Sequence, residues 1–125
     1  MKKMMIVLVG LLLCLFVIPA NSETPEKSYK NIKNFCEKKY TDIEKQKTCI
    51  DKQFSSYIQI LKICDRFVYI KGRNCKEMQI VKKSLLKHGA DFNKPAGGDR
   101  WINTDWEMTL IDALKELNKL NKKEN

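Results

Sequence analysis

From Ile43 to Val68 the apolar residues Ile43, Ile50, Phe54, Tyr57, Ile58, Leu61, Cys64 and Val68 recur at helical spacing. They form the stripe of one long amphipathic helix, with Asp42, after Thr41, as its N-cap. This helix constrains the rest of the chain because Cys49 and Cys64 both ride on it. Fifteen residues at about 1.5 Å each hold them roughly 22 Å apart, far beyond the span of a disulfide. Neither can bond to the other, so each must reach a neighbouring segment.

Whether those thiols oxidise depends on where the chain goes. Residues 1–22 carry Lys2 and Lys3, an apolar run from Met4 to Ile18, then Pro19 and the small residues Ala20 and Ser22. This is the three-part pattern of a secretory signal. An apolar run of 15 residues falls short of the about 20 needed to span the hydrocarbon core. Cleavage after Ser22, or alternatively after Ala20, is therefore expected over retention as an anchor, and the mature protein is expected to be exported, periplasmic or secreted. Cys14 is read as part of the signal's apolar core, since Leu11-Leu12-Leu13 crowds the slot a lipidation signal needs.

In an oxidising compartment the remaining Cys36, Cys49, Cys64 and Cys75 read as a disulfide framework. Zinc is the alternative, but the intervals hold 12, 14 and 10 residues, unlike the close pairs of zinc sites. A nested arrangement needs Cys36 and Cys49 on one face of a helix, and thirteen residues turn them roughly 220° apart. Nearest-neighbour pairing, Cys36–Cys49 and Cys64–Cys75, is expected to staple two turns. The first joins a helix around Tyr29 to Lys39 to the long helix; the second joins the long helix to one running from Cys75 to His88. The two Cys pairs also form a faint internal repeat, Cys49-Ile50-Asp51-Lys52-Gln53 against Cys75-Lys76-Glu77-Met78-Gln79.

A fourth helix follows. Thr104-Asp105-Trp106-Glu107 has capping-box spacing, and Leu110, Leu114, Leu117 and Leu120 continue it as an apolar stripe. The expected fold is thus a small all-α, disulfide-stapled domain of about four helices, a single unit over residues 23–125.

Val81 to Asn93, above all Leu85-Leu86-Lys87-His88-Gly89-Ala90-Asp91-Phe92-Asn93, resembles the second helix and following turn of an ankyrin repeat. The leucines pack the helix, Gly89 takes the left-handed end position, and Asp91 and Asn93 favour the turn. Lys82 and the absence of a Thr-Pro-Leu-His-like opening upstream depart from the family pattern. The ankyrin-like segment spans about 75–118, one repeat where a solenoid needs about three. The resemblance implies a protein-binding module, one version being an inhibitor or immunity protein.

Composition narrows function without naming it. Loss of the two signal lysines lowers the formal charge of +9 to +7. The cations are interspersed with acids and show no zinc-finger spacing or other nucleic-acid motif. A solvated face is the first reading, contact with an anionic envelope or membrane surface the second, and no nucleic acid is expected. No nucleophile, base and orienting group fall in a recognisable pattern, so no enzyme and no cofactor are expected. His88, alone in the last turn of its helix, is read as a partner for carbonyl ends. Between the Gly-rich stretch 97–98 and the fourth helix stand Arg100, Trp101 and Trp106. They either seal the core under the loop or, if exposed, anchor an unidentified protein partner, as Trp and Arg do at interaction hot spots.

Overall fold

The computed structural model describes residues 25–95 and 98–124. The expected signal segment, residues 1–22, and Gly97 lie outside the described residues. Among the described residues four α-helices run in order: α1 Pro25–Lys39, α2 Ile43–Lys71, α3 Lys76–Lys87 and α4 Trp106–Glu124, with a 3₁₀ turn at Gly98–Trp101 before α4. The all-α expectation holds, and among the described residues there is no strand. Among them also, no helix is long and apolar enough to cross a membrane.

α1 begins a turn earlier than its apolar residues suggest. Pro25 supplies the first helical position, where its missing N–H costs nothing and its φ is preset. Asp42 caps α2 as expected, its side chain accepting from the Glu44 N–H at 3.2 Å. α2 runs 29 residues and stops at Gly72, whose φ of +91° carries the chain out of the helix. This central helix contacts α1, α3 and α4.

Cys36 and Cys49 are bonded, with a Cα–Cα separation of 5.7 Å, closing the α1–α2 turn with both residues buried. A loop of this length is worth about 3 kcal/mol by the chain-entropy argument. The second expected staple is not made: Cys64 and Cys75 are not bridged. Register accounts for this. Lys71 Nζ meets Glu77 Oε2 at 2.5 Å, tying the end of α2 to the start of α3. Cys64 lies about 10 Å back along α2 from that tie, whereas Cys75 sits at the N-cap of α3 on the far side of it. The sequence repeat is not structural either, since Cys49 stands inside α2 and Cys75 caps α3.

α3 runs antiparallel to α4: Ser84 Oγ donates to Thr109 O at 2.8 Å, and Asp105 N–H donates to His88 O at 2.9 Å. α4 runs parallel to α2, with Gln53 beside Trp106 at one end and Phe67 sharing a cavity with Leu120 at the other. Gly89 makes the α3–α4 connection possible. Its φ is +107°, and a Cβ there would stand 2.1 Å from Asn103 O, so both conformation and space demand glycine.

Candidate functional site

Between α3 and α4, Asp91 N–H donates to Arg100 O at 3.0 Å and draws these two points of the connection together. Trp101 and Trp106, considered as exposed anchors, are each only 3 % exposed, which corrects that assignment. Trp106 packs on Tyr57 of α2 with ring centroids 4.9 Å apart and on Trp101 at 5.5 Å, and Phe92 stands edge-on to Trp101 at 5.6 Å. Burying such large apolar surfaces outweighs what an exposed ring would gain by waiting for a partner. Arg100 is half-buried and holds the turn: its Nε donates to Lys94 O at 2.7 Å. Its guanidinium lies 5.7 Å from the Phe92 centroid, and Lys82 Nζ lies 5.5 Å from the same ring. Asp91 behaves as its turn chemistry predicts, accepting from the Asn93 N–H at 3.0 Å.

The start of α4 also differs from the capping-box expectation. Asp105, not Thr104, is the cap, accepting from the Met108 N–H at 3.1 Å. The principal partner of the helix start comes from α2. Gln53 Oε1 accepts from Trp106 N–H at 2.6 Å, and Gln53 Nε2 donates to Asp105 Oδ1 at 2.8 Å. Thr104 is left 1 % exposed, its hydroxyl without a hydrogen-bond partner. The apolar stripe is likewise rotated: Leu110 and Ala113 are buried and Leu117 and Leu120 half-buried, while Leu114 is 48 % exposed.

His88 does end α3, but its ring is committed to a side chain, Nε2 contacting Asp112 Oδ2. Lys87 Nζ reaches the same oxygen at 3.3 Å. The His88 hydrogen bond, then Lys87, holds the Asp112 carboxyl below its ordinary range. The group pins the end of α3 to the second turn of α4. Among the described residues no cluster of three or more His, Cys, Asp or Glu could hold a metal ion.

An extended cationic feature lies along the α3–α4 seam. On α3, Lys76, Lys83 and Lys87 share a stripe with Ile80; on α4, Lys115, Lys119 and Lys122 share one with Met108 and Asp112. The Lys87–Asp112 contact shows that these two stripes flank the same seam. All six lysines are exposed. Three carboxylates accompany them among the described residues: Asp112, Glu116, 3.3 Å from Lys119 Nζ, and the buried Glu77, whose charge is felt by Lys76. A linear reading of charge missed this face because its two halves are some thirty residues apart in the chain. The usable signal was spacing: lysines at four- and seven-residue intervals on both helices.

Two cavities of about 400 Å³ open elsewhere. One, beside the disulfide, is lined in part by Lys39, Lys45 and Lys52 with Glu44 and Glu107, an excess of one positive charge. The other lies at the opposite end, between α2, α3 and α4. Comparison of the chain with protein-family models, curated proteins and solved structures finds no match.

Proposed function

We propose that this is an exported, disulfide-stapled helical protein that docks on an anionic envelope surface through the lysine face of α3 and α4. The observation carrying this reading is the convergence of six exposed lysines on one seam, against the three carboxylates Glu77, Asp112 and Glu116. Lysine is depleted from the cores of protein–protein interfaces, where Trp, Tyr and Arg dominate; here both tryptophans are spent on the core. A broad, evenly charged face suits an extended anionic surface, which attracts each nearby lysine by about 1 kcal/mol. The Cys36–Cys49 bridge supports export, because disulfides persist in oxidising compartments.

A second reading, the protein-binding module implied by the ankyrin-like ending, is favoured by Ile111 and Leu114. These stand 51 % and 48 % exposed on the solvent side of α4 and would serve in place of the buried tryptophans.

Co-sedimentation with phosphatidylglycerol-containing vesicles separates the two. Binding is expected at about 0.1 M salt, with loss near 1 M as screening shortens from about 10 Å to 3 Å. It should fall at least tenfold when Lys83, Lys115 and Lys119 are changed to Glu. Vesicle binding that survives both treatments, or never occurs, rejects the lysine face as the docking surface.

A further inference from the structure

At the end of the bundle where α2 stops, α3 starts and α4 makes its last turns, a cavity of about 420 Å³ remains. Its walls divide sharply by chemistry. Phe67 and Ile70 of α2 and Leu117 and Leu120 of α4 supply the apolar walls; Arg66, Lys71, Glu77 and Asn121 supply the polar part. Glu77 is buried, 6 % exposed, yet its charge is met inside the wall by Lys71 at 2.5 Å. The Lys71 hydrogen bond holds the Glu77 carboxyl below its ordinary range despite burial, so the two groups form a neutral pair. Arg66 is exposed at the rim and gives the lining one net positive charge.

The apolar residues explain why the space stays open. Ile70 is 63 % exposed, while Phe67, Leu117 and Leu120 are only half-buried. Phe67, Leu117 and Leu120 continue the core-facing sides of their helices, while Ile70, one turn on from Phe67, stands at the open side of the space. Apolar walls with few polar groups, in a volume inside the roughly 300–1,000 Å³ range of small-molecule sites, are what a ligand pocket presents. At about 30 Å³ per water-sized group the cavity takes about a dozen such groups, the size of a ten-carbon carboxylate.

We infer that this cavity binds a single-chain alkyl carboxylate, its tail among Phe67, Ile70, Leu117 and Leu120 and its head group on Arg66. The occupant is an amphiphile because the wall is apolar, and an anion because Arg66 exceeds what Glu77 neutralises. It is a monoanion because the excess is one charge. This site is separate from the lysine face and does not depend on vesicle docking.

Isothermal titration with hexanoate, octanoate and decanoate tests the inference, with decanol and decyltrimethylammonium as uncharged and cationic counterparts. Each buried methylene contributes up to about a factor of four in affinity. Saturable one-to-one binding is expected, rising at least tenfold from hexanoate to decanoate, with decanol at least fivefold weaker than decanoate and the cation not bound. Arg66→Gln should weaken decanoate at least fivefold and leave decanol unchanged. Ile70→Asn, at a position too exposed to threaten folding, should weaken both. The inference is overturned if decanoate does not saturate, if affinity ignores chain length, or if decanoate and decanol bind equally and Arg66→Gln changes neither.

Discussion

Gln53→Leu is the most informative single change, because it deletes a tertiary cap while keeping nearly the same side-chain volume. Gln53 is 4 % exposed on α2. Its Oε1 takes the Trp106 N–H at 2.6 Å and also lies 3.4 Å from the Glu107 N, and its Nε2 holds the Asp105 carboxylate at 2.8 Å. Leucine would leave the Trp106 N–H buried without a partner, costing about 1–3 kcal/mol. Loosening Asp105 would add a further loss of about 1 kcal/mol as a weakened helix cap. The expected destabilisation is therefore about 2–4 kcal/mol. With a urea m-value of about 1–2 kcal/mol/M for a domain of this size, the unfolding midpoint should drop by about 1–4 M. Gln59→Leu, at an exposed site on the same helix whose amide reaches only Ser55 Oγ at 3.3 Å, should stay within about 0.5 kcal/mol of the parent. Thr104→Val supplies the opposite sign: removing a buried hydroxyl that has no partner should be neutral or stabilise by up to about 1 kcal/mol. Equal midpoints for Gln53→Leu and Gln59→Leu would refute the capping role.

Trp101→Ala should cost about 3–5 kcal/mol, as large-to-small core changes do, and an unchanged melting curve would restore Trp101 as a surface residue. Peptide mapping without reductant should return the Cys36–Cys49 bridge alone. Alkylation of the native protein should modify half-buried Cys75 ahead of Cys64, which is 0 % exposed; a Cys64–Cys75 cross-link would overturn the register set by Lys71 and Glu77. The lowered carboxyls of Asp112 and Glu77 stabilise the fold above the ordinary carboxylate pKa of about 4 and lose that contribution as pH falls through their folded values. Urea midpoints for the parent and Asp112→Asn should accordingly differ at pH about 7, and the gap should narrow progressively as pH falls below about 4; a gap that does not narrow in acid would mean that Asp112 acts by packing and not by charge.

Reading the chain located what short-range physics controls. The α2 stripe, the Asp42 cap, the Gly89 ending and the Cys36–Cys49 bridge each involve residues within a few helical turns of one another, so spacing and turn chemistry suffice to place them. The two tryptophans were harder. An exposed Trp that grips a partner and a buried Trp that seals a core gain from the same loss of apolar surface to water. The run Arg100-Trp101 therefore carried no mark of which it was. What settled Trp106 was Tyr57, forty-nine positions upstream, and what capped α4 was Gln53, while the adjacent Thr104 went without a partner.

The same division separates the lysine face and the end cavity from the elements that compose them. Each helix carries its own stripes in its own residue order, and that much belongs to the amino-acid sequence alone. Which stripes become neighbours depends on the direction and register in which the helices pack: α3 antiparallel to α4, α4 parallel to α2. Side-chain bonds such as Ser84 to Thr109, Lys71 to Glu77 and Gln53 to Asp105 accompany that register. Only after that choice do Lys76, Lys83 and Lys87 stand beside Lys115, Lys119 and Lys122, and Phe67 and Ile70 across from Leu117 and Leu120. Helical periodicity is a local property of the backbone, whereas adjacency between helices is won by close packing of whole faces, which no single segment encodes.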